Sequence, residues 1–344
     1  MIDQFEAVQP ARQRRKGRRN VLLFFLGLVL VAAIAGGAFV VNLANNFNSQ
    51  AHKIANAFPS DASRPAKAVE GPASNATNIL LLGSDSRGDS VDMAEEGAAS
   101  DQRSDTMMWV HVPGDGKNVV MMSIMRDTWV DIPGHGEAKI NAAMAFGGVP
   151  LVVQTLEGMF NSRLDHVAIV DFEGFKAITD SLGGVQVDVP VAFTSTFTNI
   201  DFPAGPQLMN GDQALSFVRE RYAFTDGDYQ RVRNQQLYLK SLVKTVLKPA
   251  TLTNPAKVNE LVKQVSPYIS VDAGLDAGAL AGLAVRMRDV RGDDVKSFTL
   301  PTLGTGTSAD GQSIVIKDDA AIEAIAQALA TDTLVMHMDK TGLR

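Results

Sequence analysis

Residues 21–41 form one unbroken apolar run, and beyond them the apolar positions fall into short runs divided by turn signals. Those 21 residues carry no charged or polar side chain. As an α-helix they reach about 30 Å, the thickness of a bilayer core. A lone span must be helical, because lipid offers no partner to backbone amides. The run exceeds the roughly 7–15 apolar residues of a cleaved signal peptide, so an uncleaved transmembrane helix is expected over 21–43. Residues 44–75 are polar, rich in Ala, Asn, Ser and Pro, and without apolar period, so they read as an extracellular linker.

A folded domain is expected over 76–344. Three apolar runs open it, at 78–83 (NILLLG), 106–112 (MMWVHV preceded by Thr106) and 118–125 (NVVMMSIM), each the length of a buried strand. The second and third flank Pro113-Gly114-Asp115-Gly116, a strong turn signal. Ala142–Phe160 reads as a helix interrupted at Gly147-Gly148-Val149-Pro150. A strand at 165–171, a helix at 172–182 stopped by Gly183-Gly184, and a strand at 185–189 follow. Helices at 255–265 and 318–330 and strands at 295–300 and 313–316 complete the chain. Strands alternating with helices predict an α/β fold, a sheet covered by helices on both faces.

If the first three strands are antiparallel neighbours, strand one ends where strand two begins and strand three returns to the same edge. Asp85, Arg87, Arg103, Asp105, Arg126 and Asp127 then gather at one end of an apolar sheet. The alternative is a solvated sheet edge. A second cluster lies at 219–248, where seven basic groups face three acids. From about Tyr229 the pattern is helical, with Val232, Leu239, Val243 and Val246 on the expected buried stripe and Arg231 and Gln235 sharing a face. Arg219 and Arg221 share a face if their stretch is extended. Guanidinium forks match phosphate oxygens two at a time and keep their charge, so several converging forks suit a pyrophosphate. Arginines on a solvated helix surface are the plainer reading.

Charge sharpens the topology. Residues 1–20 hold six basic and two acidic groups, a net +4, which leaves −10 for the rest of a chain whose total is −6. A basic cluster before an apolar span stays in the cytoplasm and sends the C-terminal side outside. An acidic remainder argues against nucleic acid as a partner. Cysteine is absent, which excludes disulfides, thiol nucleophiles and Cys-ligated metals, and the five histidines show no zinc spacing.

The ordered set NILLLGSDSR (78–87), RSDTMM (103–108), SIMRDTWVDIPG (123–134), KINAAMAFGG (139–148), LGGVQVDVP (182–190), NGDQALSFVRERY (210–222) and GDYQRVRNQQ (227–236) resembles the LytR–CpsA–Psr family of cell-wall ligases. FTLP and DGQSIVI, within 298–316, close the match. The resemblance implies an α/β/α sandwich with a central mixed sheet, outside the membrane behind one N-terminal helix. It implies a phosphotransferase that moves a glycopolymer from a polyprenyl-pyrophosphate carrier to the 6-hydroxyl of muramic acid in peptidoglycan and releases polyprenyl phosphate.

Carried over by position, Asp85 and Asp105 correspond to the family's magnesium ligands, with manganese as the substitute, and with Arg126 to its catalytic residues. Arg103, Arg126, Arg219, Arg221, Arg231 and Gln235 correspond to positions facing the pyrophosphate. Arg87 and Lys139 correspond to motif positions of less defined role. Two carboxylates that close repel, and a divalent cation removes the repulsion while adding positive charge for the transferring phosphate. The base that deprotonates the acceptor is open between Asp85, Asp127 and a metal-bound hydroxide. The rival functions are a membrane pyrophosphatase acting on the same lipid without an acceptor, and a non-catalytic regulator of the cell envelope. A glycan-binding module fits poorly with 6% aromatic residues.

Overall fold

The computed structural model describes residues 38–84, 104–248 and 254–344, with Ser104 and Asp105 as backbone only. The chain divides into residues 1–45 and a folded unit from Asn46 to Arg344. Of the span expected over 21–43, positions up to 37 lie outside the described residues, and residues 38–50 are helical. Ala142–Phe160 is the one described helix with the length and hydropathy of a membrane span, and it belongs to the core, largely buried.

In chain order the strands are β1 (His52–Ile54), β2 (Thr77–Ser84), β3 (Ser104–Val112), β4 (Val119–Ile124), β5 (Trp129–Ile132), β6 (Gly136–Lys139), β7 (His166–Val170) and β8 (Val185–Val189). They continue as β9 (Phe193–Thr194), β10 (Asp201–Phe202), β11 (Gly205–Met209), β12 (Ile269–Asp272), β13 (Val295–Thr299), β14 (Thr302–Thr307) and β15 (Ser313–Lys317). The helices of the folded domain are α1 (Ala142–Phe160), α2 (Phe172–Ser181), α3 (Gly211–Arg219), α4 (Asp228–Val246), α5 (Pro255–Val265), α6 (Ala277–Arg286), α7 (Asp319–Ala330) and α8 (Leu334–Thr341). A seven-stranded mixed sheet runs β1-β12-β7-β2-β3-β4-β13. β2, β3 and β4 are antiparallel neighbours, whereas β7 lies parallel to β2 and β13 parallel to β4.

The period of two sorts the side chains onto two faces. Leu80, Leu82, Met107, Trp109, Val120 and Met122 pack under α1, α7 and α8. Leu81, Met108, Val110 and Met121 face the other way, against Leu239 and Val243 of α4. Ile79 and Ala168 on that face meet Val262 of α5 and Leu283 of α6. Helices on both faces explain why the first strands read as apolar runs without alternation. α1 carries the expected interruption: Gly148 sits at φ +63°, open to glycine, two residues before Pro150.

One expectation is corrected. Residues 46–75 are not a free spacer. β1 pairs with β12 in the main sheet, and Phe47, Ala51, Ile54 and Ala57 are buried. Arg64 donates to Glu157 of α1 from Nη2 at 2.6 Å and from Nε at 3.0 Å. These apolar residues are few and straddle a helix end and a three-residue strand, so no sustained period announces them; long-range partners bury them.

The register settles the strand-end geometry. Gly83 pairs with Thr106, Ser84 with Ser104, and Met107 with Ile124. The end of β2, the start of β3 and the end of β4 therefore share one edge. The opposite end holds a closed polar network. Asn78 Oδ1 accepts from Trp109 Nε1 at 3.1 Å and lies 2.8 Å from His111 Nδ1. His111 Nε2 is 3.0 Å from Asp332 Oδ1, and the Gly114 N–H donates to Asp332 Oδ2 at 2.9 Å.

Candidate functional site

At the first sheet end, the link from β4 to β5, the turn after β7, the end of α3 and the start of α4 converge. α3 opens with a capping box: Gln213 N–H donates to Asn210 Oδ1 at 2.9 Å and the Asn210 N–H to Gln213 Oε1 at 3.0 Å. It buries Ala214, Phe217 and Val218 and stops at Arg219, where Glu220 turns extended at φ −65°, ψ 132°. That change of conformation at one residue lets Arg219 and Arg221 line the same cavity.

Glu220 is wholly buried between the two arginines. It accepts the backbone N–H of Thr196 (2.6 Å), Arg221 (2.9 Å), Tyr222 (2.9 Å) and Ala223 (3.1 Å), and the Thr196 hydroxyl at 2.9 Å. Burial pushes its carboxyl up, but the hydrogen bonds from Thr196, Ala223 and Ser195 outweigh burial and hold it below the ordinary value. The carboxylate thereby ties the turn carrying Phe197 to the arginine segment. The Arg219 guanidinium lies 4.5 Å from the Phe172 ring centre and 5.5 Å from that of Phe197. Aromatic faces, rather than a carboxylate, hold Arg219 among the described residues.

The other cations meet at Asp228, in the first turn of α4. Arg231 Nη2 donates to its Oδ2 at 3.0 Å, Arg126 Nε lies 3.5 Å from the same oxygen, and Arg221 Nη1 donates to Oδ1 at 3.4 Å. Beside them Asp127 lies 3.5 Å from Arg126 Nε and 3.3 Å from Lys139 Nζ. α4 packs Val232, Leu239 and Val243 of the expected stripe inward and buries polar side chains beside them. It buries Arg231, Asn234, Gln235, Gln236 and Tyr238 along with Val232. Asn234 Nδ2 donates to the Phe217 carbonyl at 3.2 Å and Gln235 Nε2 to the Val218 carbonyl at 3.4 Å, seating α4 on α3. Gln236 Nε2 donates to Ser123 Oγ at 2.9 Å and Thr299 Oγ1 at 3.1 Å, seating it on the sheet.

These side chains border a cavity of about 390 Å³ between the sheet and α2, α3 and α4. Arg126, Arg219, Arg221, Arg231 and Gln235 line part of it, while Leu81, Phe175, Ile178, Leu215, Leu239 and Leu242 give it apolar walls. Tyr238 contributes a buried ring whose hydroxyl sits 2.6 Å from Thr179 Oγ1, and burial raises its pKa to about 12. The hydroxyl stays neutral, so the wall carries no charge there. A chamber with cations at one part and hydrocarbon elsewhere suits an amphipathic anion.

Five of the expected site residues, Arg126, Arg219, Arg221, Arg231 and Gln235, are thus brought together. Lys139 sits behind them, joined through Asp127. Asp85, Arg87 and Arg103 lie outside the described residues, and Asp105 is described by its backbone alone, one residue past the Ser84–Ser104 pair. Among the described residues no group of three or more His, Asp or Glu could hold a metal. Asp228, Glu220 and the Phe172–Phe197 pair went unnoticed in the sequence. Asp228 had a signal, an acid three residues before Arg231 at a helix start. Phe172 and Phe197 had none, because only the fold brings them to Arg219.

The pattern of the LytR_cpsA_psr family matches residues 39–331. The cell wall biosynthesis protein LcpA of Corynebacterium glutamicum is 31% identical over 291 residues, 74% of this chain and 56% of that protein. The chain thus spans little more than half the length of that relative. The polyisoprenyl-teichoic acid–peptidoglycan teichoic acid transferase TagU of Enterococcus faecalis is 32% identical over 253 residues, 73% of this chain and 78% of its own. Among solved structures, TagV of B. subtilis superposes with a TM-score of 0.64 at 25% identity, covering 75% of this chain and 97% of TagV.

Proposed function

The chain belongs to the LytR_cpsA_psr family, and from that premise we propose that it transfers a glycopolymer, with one phosphate, from a polyprenyl-pyrophosphate carrier to peptidoglycan. The observation that carries this reading is the cavity itself, apolar along most of its wall and bordered by Arg126, Arg219, Arg221 and Arg231. One ligand that fits both parts has a hydrocarbon tail and a doubly phosphorylated head. The apolar wall takes the first isoprene units, and the guanidinium forks hold the pyrophosphate oxygens.

The acceptor hydroxyl oxygen bonds to the sugar-side phosphorus as the bond from that phosphorus to the bridging oxygen breaks. Polyprenyl phosphate leaves with the bridging oxygen, and the glycan stays joined to the wall through a phosphodiester. Arginines whose segment is fixed by Glu220 and whose Arg219 rests on Phe172 stabilise charge that grows on the phosphate oxygens. The acceptor proton goes to a carboxylate at the sheet end, for which Asp127 and Asp85 are the candidates.

Asp85 and Asp105 are assigned to magnesium or manganese. The pairing of Ser84 with Ser104 supports this, because it sets the two acid-bearing segments side by side. A divalent ion held there supplies positive charge to the phosphate oxygens. Residues 21–43 anchor the chain, with the basic N-terminus in the cytoplasm and the domain outside, against the membrane lipid that carries its substrate.

Full-length protein in lipid nanodiscs, given a polyprenyl-pyrophosphate-linked sugar and peptidoglycan, tests the reading by phosphorus NMR and mass spectrometry. A new diester on the acceptor and polyprenyl phosphate are expected. Free polyprenyl pyrophosphate with a phosphate-free glycan product overturns it. A sugar phosphate without acceptor adduct, despite excess acceptor, makes the protein a pyrophosphatase.

A further inference from the structure

Three arginines from three separate segments aim at one carboxylate. Arg126 comes from the link after β4, Arg221 from the segment between α3 and α4, and Arg231 from α4 itself. Both oxygens of Asp228 are engaged, Oδ1 by Arg221 and Oδ2 by Arg231 and by Arg126, which Asp228 shares with Asp127 at the same 3.5 Å. Like charges at such spacing repel unless an anion lies between them. The Asp228 side chain is 22% exposed, whereas that of Arg231 is 8% exposed, so the acid stands on the solvent side of its deepest partner.

We propose that Asp228 is a built-in surrogate for the substrate's pyrophosphate, a positioning residue that holds the forks of Arg126, Arg221 and Arg231 in the empty site and competes with every anion that enters. This rests on the transferase reading above. The exchange has a direction. A pyrophosphate spreads its charge over oxygens on two phosphorus atoms, a reach that replaces all three pairs. A single phosphate, such as the monoester head of the leaving polyprenyl phosphate, replaces fewer. Asp228 retakes the forks as that product departs, so the acid favours binding of the diphosphate and release of the monophosphate. The same competition keeps free phosphate from occupying the site. Arg219 is exempt: its aromatic partners leave its donors available throughout.

The test compares the full chain with Asp228→Asn in nanodiscs, titrating inorganic pyrophosphate and inorganic phosphate by calorimetry. Removing the competing charge is expected to tighten phosphate binding by at least about tenfold, the scale of one charge-assisted contact. The preference for pyrophosphate over phosphate is expected to shrink, and in turnover kcat and KM are expected to fall together as product release slows. Asp228→Glu keeps the charge and is expected to retain part of the preference. Unchanged or weaker phosphate binding in Asp228→Asn, with the preference intact, overturns the proposal and leaves Asp228 a spacer. If the variant is less stable, phosphate is expected to restore its melting temperature; a loss that phosphate does not repair also overturns it. A wild-type chain that binds neither anion sinks the transferase reading instead.

Discussion

The two ends of the central sheet each carry a polar cluster and use it in opposite ways. At the far end, Asn78, His111, Trp109, Asp332 and the Gly114 N–H satisfy one another, and His166 Nδ1 lies 3.2 Å from Asp272 Oδ2. Trp109, His111, Asp272 and the Asp332 side chain are deeply buried there, and the polar groups are turned toward one another rather than into a cavity. At the near end, Arg126, Arg219, Arg221 and Arg231 border an open cavity, and three of them share Asp228. A polar network closed on itself rigidifies a fold, because any lost partner leaves a buried group unpaired. A network whose cations face a cavity exchanges partners with a ligand. Whether the polar groups face one another or a cavity separates scaffold from site.

The comparison breaks if substitutions at the near end cost stability, or those at the far end cost chemistry. The largest effect is expected from Asp105→Asn. On the proposed metal assignment, this change is expected to cut metal-dependent transfer by at least about 100-fold, the cost of removing one preorganised electrostatic group, while circular dichroism and melting stay close to wild type. Near-normal turnover, or full activity in excess chelator, removes Asp105 from the site. Next comes Arg231→Ala, with a loss of about 10- to 150-fold in kcat/KM for one charge-assisted hydrogen bond. Arg231→Lys is expected to remain impaired, since a point charge does not reproduce the fork; full activity in that variant means that fork geometry is dispensable.

At the far end the signs reverse. Asp332→Ala takes the acceptor from His111 and the Gly114 N–H and is expected to cost about 1–3 kcal/mol of folding free energy. Asp332 also holds φ +57°, a conformation that Asn tolerates and Ala does not, so Asp332→Asn is expected to be milder. Specific activity of the folded fraction stays unchanged in both; a fall in kcat there would join the two ends into one functional unit. The smallest effect is a pH dependence. Burial pushes the Asp272 carboxyl up, but His166 and the backbone N–H of Val167 and Gly274 pull it further down, below its ordinary value. A depressed carboxyl stabilises above its unfolded value, about 4, and loses that contribution as pH falls through its folded value. The stability gap between wild type and Asp272→Asn is therefore expected to be full above about pH 4 and to close in more acid solution. A gap that persists unchanged to low pH removes the charge from the account.

Much of this protein is set by local pattern. Apolar runs of strand length, the Gly147–Pro150 break and the glycines after α2 locate β2, β3, β4, β7, β8, α1 and α2 within a residue or two. Those choices depend on neighbours a few positions away, which a sequence displays directly. The site arginines were legible for the same reason: charge in an apolar or acidic background has no use in a core. Only the tertiary structure decided the rest. β1 and the residues around it look like a polar spacer until β12, more than 200 positions later, supplies a ladder. α4 buries a polar side beside its apolar stripe, because the site and the sheet end supply partners for Arg231, Asn234 and Gln236. Phe172 and Phe197 become the bed of Arg219, and Asp228 the shared partner of three arginines, through contacts that no spacing encodes. Pairing across long separations depends on how elements pack, and packing is a property of the whole chain.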